Sequence, residues 1–122
     1  MNLKEIAIDF LNNAAVGDVR SVYKKYVWKN CIHHNPYFRG DADSLMIAME
    51  ENTVQYPGKI FEIQRAIQED NFVAVHSKIR MKPGNAGIAV VHIFRFKDNF
   101  IEEMLDIGQP IPEKSPNEHG MF

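Results

Sequence analysis

Asp106 is the residue of this 122-residue chain whose type and surroundings best suit it for chemistry. It stands in the run Met104-Leu105-Asp106-Ile107, among apolar neighbours. Burial among apolar groups costs a carboxylate free energy, and it raises the pKa of a carboxyl group towards the range that a general base needs. Two interpretations follow. Asp106 is a general base in an apolar pocket, or it forms an ion pair with a Lys or Arg.

His92 lies on the preceding predicted strand and is the natural partner for Asp106. A three-residue turn, Lys97-Asp98-Asn99, would pair His92 with Met104 and point the side chains of His92 and Asp106 into the same space. A two-residue turn, Asp98-Asn99, would put His92 and Asp106 on opposite faces. We predict the three-residue turn, because Asn suits its left-handed position. The imidazole could then stabilise an enolate oxygen or shuttle a proton. The alternative is a core histidine with satisfied hydrogen bonds.

The elements that must position these residues are predicted from hydrophobic periodicity and turn residues. Helical spacing predicts a helix between Asn2 and Gly17, a second at Val19 to Val27, and a third from Asp41 or Asp43 to Pro57-Gly58. A loop is predicted from Asn30 to Gly40. Strands are predicted at 60–67, 72–81, 87–96 and 100–109, followed by an extended tail at about 110–122. We therefore expect one α+β domain over residues 1–122, with three N-terminal helices on one face of an antiparallel sheet.

Composition limits the classes of function. Hydrophobic residues make up 45% and charged residues 25%, which is typical of a globular domain, and the net charge of −2 includes no basic block. We therefore expect no nucleic-acid partner. No membrane span or signal peptide is evident, and the one cysteine, Cys31, cannot form an internal disulfide. These features predict a cytoplasmic protein without a membrane partner.

The last two strands carry apolar residues on both faces. Helices can cover only one face of a sheet, so the other needs a different cover. We predict that a second copy of the chain covers it, which gives a homodimer through the sheet. The alternative is that the C-terminal tail folds back over this face.

Several runs resemble the SnoaL-like polyketide cyclases, within the nuclear transport factor 2-like superfamily. They are Cys31 to Pro36, Ala89 to Phe96, Ile101 to Ile107, Gln109 to Lys114, and the ending Gly120-Met121-Phe122. The resemblance covers nearly the whole chain. It implies a cone-shaped α+β barrel with a deep apolar pocket, usually a dimer, and an intramolecular aldol condensation that needs no metal or organic cofactor. Asp106 matches the family's acid/base, and His92 fits its companion.

The resemblance also implies that His34 and Asn35 lie at the pocket wall. We add candidates for a substrate-binding wall from their type and position: Trp28, Phe38, Met49, His76, Phe94 and Met104. His76 lies on a mixed face and could equally lie at the surface. The histidines lack metal-ligand spacing, so no metal site is predicted.

One departure from the family pattern concerns the acid/base strand. Many relatives have His-Trp-Asp where this chain has Met104-Leu105-Asp106, which removes a polar neighbour from the pocket. The predicted function is proton transfer next to the carbonyl of a small apolar compound, giving a cyclised or isomerised product. The alternative is a domain of the same fold that binds such a compound without converting it.

Overall fold

The computed structural model describes residues 1–122 as three helices and five strands. The helices are α1 (Leu3–Ala15), α2 (Val19–Tyr26) and α3 (Ala42–Gln55), and the strands are β1 (Val27–His33), β2 (Ile60–Glu69), β3 (Phe72–Arg80), β4 (Ile88–Lys97) and β5 (Phe100–Pro110). The strand order is β1-β5-β4-β3-β2. Strands β2 to β5 form an antiparallel meander, and β1 joins β5 in parallel. The predicted α+β architecture is confirmed, with a mixed sheet that curls without closing.

Strand β1 corrects the sequence prediction, which had a loop from Asn30 to Gly40 and only four strands. Strand β1 lies at the edge of the sheet, most of its residues are exposed, and its pairing with β5 is interrupted between Val27 and Ile32. An exposed, irregularly paired edge strand has no clear alternation of apolar and polar residues. The segment therefore had no strand signal in the sequence.

The helices begin where the capping residues predict. The Asn2 side chain accepts a hydrogen bond from the Glu5 N–H at 2.8 Å, and the Glu5 side chain closes the capping box. Asp41 caps α3 by accepting from the Ser44 N–H at 2.9 Å. The buried stripe of α1 includes Phe10, which meets Phe94 of β4 edge-to-face at 5.8 Å between ring centroids. The core therefore lies between the helices and one face of the sheet, called here the inner face.

The turn between β4 and β5 has two residues, so the predicted three-residue turn is wrong. Asp98 and Asn99 both adopt left-handed backbone conformations, with φ of 51° and 66°, and Lys97 pairs with Phe100. Two consecutive left-handed residues are typical of the type I′ turn that suits the twist of a hairpin. The prediction gave this conformation to Asn99 alone.

A β-bulge then changes which residues share a face. Phe96 pairs with Ile101, but Arg95 pairs with Glu103, so Glu102 is an extra residue in β5. Beyond the bulge, His92 pairs directly with Asp106. The shared face predicted for these two residues is therefore present, although it results from a bulge and not from the predicted turn.

The opposite face of the sheet, called here the outer face, is only partly covered. The Phe122 ring at the chain end stacks on His76 of β3, with 5.2 Å between ring centroids. Ile107 of β5 nevertheless keeps 64% of its surface exposed. The tail thus folds back at one point, and the homodimer stays a prediction. No helix of the chain has both the length and the apolar character needed to cross a membrane.

Candidate functional site

A cavity of about 500 Å³ lies between helices α1 and α3 and the inner face of the sheet. Sixteen of its 23 lining residues are hydrophobic. Phe94 and Met104, both buried, form a cross-strand pair in its wall. Gly108 pairs with Val90 two residues beyond Asp106, and it contributes no side chain to the space. This volume and lining are typical of a site for a small apolar molecule.

Asp106 projects from β5 into this cavity and is held by Asn35. The Asn35 Nδ2 lies 3.1 Å from Oδ2 and 3.3 Å from Oδ1 of Asp106. The Asn35 Oδ1 accepts a hydrogen bond from the Tyr37 N–H at 3.0 Å, which fixes the orientation of the amide. Because the oxygen is occupied, the NH₂ group must face the carboxylate. Asp106 therefore has an amide donor that orients it and no cationic side chain that neutralises it.

The loop that presents Asn35 is anchored by His33 and by β5. The buried His33 ring accepts from the Asn35 N–H through Nδ1 at 3.1 Å and donates from Nε2 to the Arg39 carbonyl. The His34 N–H donates to the Met104 carbonyl at 3.0 Å. In the sequence, His33 stood out only as part of the run Cys31 to Pro36 and as one of the histidines that lack metal-ligand spacing. Its position two residues before Asn35 is the signal that could have indicated a loop anchor.

His92 faces the cavity directly across from Asp106. Its ring stacks nearly parallel to Phe94 at 6.1 Å and lies 6.2 Å from the Phe61 ring. Burial lowers the pKa of His92 to about 4, although the charge of Asp106 acts in the opposite direction. The imidazole is therefore neutral near neutral pH. Its Nδ1 is buried without a hydrogen-bond partner, and no hydrogen bond joins the ring to Asp106.

Five of the eight predicted substrate-binding residues line the cavity: Asn35, Phe38, Met49, Phe94 and Met104. Trp28 does not. It lies near the start of β1, is 44% exposed, and borders a separate surface depression beside α2 and α3. The aromatic character of Trp28 suggested a place in the pocket wall, but its position on an edge strand leaves its side chain at the surface, outside the cavity.

His34 and His76 also lie outside the cavity, which corrects their predicted place at the pocket wall. The side chain of His34 is half-exposed, and its Nε2 lies 2.7 Å from the Glu103 carboxylate. His76 lies on the outer face of β3, where its Nδ1 is 2.7 Å from the Arg65 guanidinium and its ring stacks on Phe122. His76 does not line the cavity because strand alternation places it on the opposite face from its buried neighbours Val75 and Ser77.

Two polar residues of the cavity were missed by sequence reasoning. Lys59 donates a hydrogen bond from Nζ to Oδ1 of Asn52 at 2.6 Å, and both side chains line the cavity. Burial lowers the pKa of Lys59. The signal was present, because Lys59 stands two residues before the inner-facing Phe61 and is therefore in phase with it. No three His, Cys, Asp or Glu side chains lie close enough together to hold a metal ion.

Three helices over a curled sheet, with an apolar cavity between the two layers, define a cone-shaped α+β protein. No family model matches the sequence, and no curated protein matches it. Solved structures do match.

An NTF2-like protein of unknown function from Cytophaga hutchinsonii is 16% identical, over 90% of this chain and 92% of that one, with a TM-score of 0.73. A provisionally named isomerase of the SnoaL-like family from Agrobacterium tumefaciens is 14% identical, over 89% and 99%, with a TM-score of 0.74. AclR from Streptomyces galilaeus, provisionally named a hydroxylase, is 16% identical over 88% of each chain, with a TM-score of 0.74. The chain therefore has the NTF2-like fold of these proteins, as the sequence resemblance implied.

Proposed function

We propose that the protein is an enzyme that removes a proton from the carbon next to a carbonyl group in a small apolar compound. Asp106 is the general base, and the neutral imidazole of His92 donates a hydrogen bond to the developing enolate oxygen. The observation that carries this proposal is the direct cross-strand pairing of His92 with Asp106 on the cavity face. Opposed residues of an antiparallel pair lie about 5 Å apart at Cβ, so one ligand carbonyl can contact both.

The proposed step needs no oxidant or reductant. The Asp106 carboxylate takes the proton, the electrons of the C–H bond form a carbon–carbon double bond, and the carbonyl electron pair moves to oxygen. The enolate then attacks a second carbonyl in an aldol condensation, or it regains the proton at another carbon in an isomerisation. In either case the protonated Asp106 returns its proton to the product, which restores the carboxylate.

His92 supports this role because of its charge state. A neutral imidazole can donate one hydrogen bond to a carbonyl oxygen, and the low pKa of His92 keeps it neutral near neutral pH. The surrounding side chains are mostly apolar, and an apolar environment strengthens that hydrogen bond as charge develops on the oxygen. The provisional name of the Agrobacterium protein, an isomerase, is consistent with enolate chemistry in this fold.

The proposal includes a homodimer and a cytoplasmic location. The dimer would form through the outer face of the sheet, and its support is the exposed apolar surface around Ile107. The support for the location is that the one cysteine, Cys31, is buried and free. Burial raises the pKa of the Cys31 thiol to about 12, so it is unreactive.

Deuterium exchange into ketones tests the proposed step without knowledge of the natural substrate. Apolar ketones such as 2-tetralone are incubated with the protein in D₂O, and loss of the α-proton signal is followed by NMR. We expect the wild-type protein to accelerate exchange and Asp106→Asn to reduce that acceleration by about 100-fold or more.

Glu103→Gln is the matched control, because it removes a carboxylate of β5 that contacts Arg95 and His34 outside the cavity. This variant should exchange like the wild type. Binding of ketones without any acceleration of exchange would refute the enzymatic proposal and favour the ligand-binding alternative. Equal exchange by the wild type and Asp106→Asn would show that Asp106 is not the base.

A further inference from the structure

Lys59 is the one cationic side chain among the residues that line the cavity. Its Nζ donates to the neutral amide oxygen of Asn52, and it forms no salt bridge. An ammonium group has three N–H donors, so this single partner leaves two of them for other acceptors. Burial is the cause of the lowered pKa of Lys59, with no opposing contribution from an acidic neighbour. A partly desolvated cation without a counter-ion is costly, and an anionic ligand would remove that cost.

The position of Lys59 separates it from the proposed base. Along β4, Ile88 precedes His92 by four residues, which is about 13 Å in an extended strand. Ile88 pairs with Ile79, and Ile79 pairs with Phe61, so these three residues cross the sheet at one level. Lys59 comes two residues before Phe61, whose ring lies 6.2 Å from the His92 ring in the curled sheet, so Lys59 lies beyond Phe61 along β2, on the side away from His92.

The cavity consequently carries two separate polar groups. Asp106 with His92 forms one, and Lys59 with Asn52 forms the other beyond Phe61, while apolar residues such as Ile88 and Val90 line other parts of the wall. A wholly apolar ligand would contact the first group and leave the partly buried Lys59 ammonium with Asn52 as its one hydrogen-bond partner. A ligand with an anionic group would satisfy both groups.

We propose that Lys59 and Asn52 form an anion subsite, so that the ligand of this cavity is a carbonyl compound with an apolar body and a terminal carboxylate. This inference rests on the proposed function and specifies its substrate class. The carboxylate accepts hydrogen bonds from the Lys59 ammonium and the Asn52 NH₂ group, and the carbonyl lies between Asp106 and His92. Lys59 thereby fixes the direction in which the ligand enters the cavity. No covalent step at Lys59 is involved.

Lys59 also lies close to the C-terminal end of α3, because Asn52 belongs to the last turn of that helix. A lysine at this place can stabilise a helix by interacting with its dipole. That structural role and the anion subsite make different predictions. The structural role affects stability alone, whereas the subsite changes affinity for acids and leaves affinity for neutral analogues unchanged.

The test uses ω-benzoylalkanoates of increasing chain length, each paired with its primary amide, which has nearly the same shape without the charge. Binding to the full chain is measured by calorimetry for the wild type, Lys59→Met, Lys59→Arg and the exposed control Lys97→Met. We expect the best acid to bind the wild type about tenfold more tightly than its amide. Lys59→Met should abolish this preference without changing amide affinity, and Lys59→Arg and Lys97→Met should retain it.

The outcomes separate this inference from the proposed function. If acids and amides bind the wild type equally, or if Lys59→Met weakens both equally, the anion subsite is wrong while the carbonyl site stands. If Asp106→Asn loses proton exchange but keeps the acid preference, both proposals are supported. Trapping of a ketone on Lys59 by borohydride would overturn the non-covalent role. If no member of the series binds, the assignment of acid ligands fails, and exchange into neutral ketones still tests Asp106 independently.

Discussion

His34 and His92 both lie beside β5, but the two sides of the sheet give them different environments. The half-exposed His34 ring contacts Glu103 at 2.7 Å, and Glu103 also accepts from the Arg95 Nε at 2.9 Å. His92 instead lies opposite Asp106 on the inner face, with no hydrogen bond between them. The same strand therefore carries two carboxylates next to imidazoles, one within an ion network and one within a cavity.

This difference explains why only one of the two sites is suited to chemistry. The hydrogen bonds from His34 and Arg95 lower the pKa of Glu103 and occupy its oxygens. Asp106 has a single amide partner, so its remaining acceptor sites are open to a ligand. The environment, and not the residue types, distinguishes the two pairs.

Deletion of Glu102 together with Glu103 should abolish the difference between the two faces and have the largest effect. Arg95 would then pair with Met104, so the alternation of β5 beyond Ile101 shifts by one, and Met104 and Asp106 turn towards the outer face. Because Asp106 leaves the cavity, we expect the acceleration of proton exchange to be lost.

Proton exchange into ketones measures the effect of this double deletion. Deletion of Glu102 alone is the matched control, because Arg95 can still pair with Glu103 and His92 with Asp106 when only the extra residue is removed. Wild-type exchange in the double deletion would mean that the register of β5 beyond the bulge does not place Asp106 in the cavity.

The burial of His92 should also make stability depend on pH. The pKa of His92 is about 4 in the folded protein and about 6.5 when unfolded, so the unfolded chain binds the proton first as pH falls. The contribution of neutral His92 to the free energy of unfolding is fully present above pH 6.5. As the pH falls from 6.5 to 4, the free energy of unfolding decreases by about 3 kcal/mol.

Urea unfolding between pH 7 and 4 tests this linkage. His92→Phe should remove about 3 kcal/mol of pH dependence relative to the wild type, since its ring cannot be protonated. His34→Gln leaves His92 in place and should keep the dependence. If both variants follow the wild-type curve, His92 is not held neutral by the fold.

Removal of the Asn35 side chain should have a smaller effect, confined to the inner site. Asn35→Ala deletes the amide that orients Asp106, so we expect about a tenfold decrease in proton exchange and about 1 kcal/mol of lost stability. Asn117→Ala, in the exposed tail, is the matched control. Unchanged exchange in Asn35→Ala would show that the amide does not position the base.

Much of this arrangement was predictable from sequence, because it depends on local signals. Asn2, Glu5 and Asp41 identified the helix starts, and apolar alternation identified four of the five strands. The common face of His92 and Asp106 was predicted through the wrong turn. The two-residue turn alone would have put His92 and Asp106 on opposite faces. The bulge at Glu102, which was not predicted, shifts the alternation of β5 by one residue and returns both to the same face.

The remaining parts depend on tertiary contacts that no local pattern records. Whether His34 or Asn35 faces the cavity depends on the parallel pairing of β1 with β5, which the sequence did not predict. Lys59 was missed because a lysine after Pro57-Gly58 resembles an ordinary turn residue. Only the curl of the sheet under α3 shows that Lys59 meets Asn52 at the cavity.

A crystal structure with 4-oxo-4-phenylbutanoate or a longer homologue bound would test the central claim most directly. We predict that the ketone oxygen lies within hydrogen-bond distance of the His92 ring, with the adjacent carbon facing an Asp106 oxygen and the apolar body in the cavity. A ligand bound on the outer face beside Glu103, or with its ketone directed away from Asp106 and His92, would contradict the account.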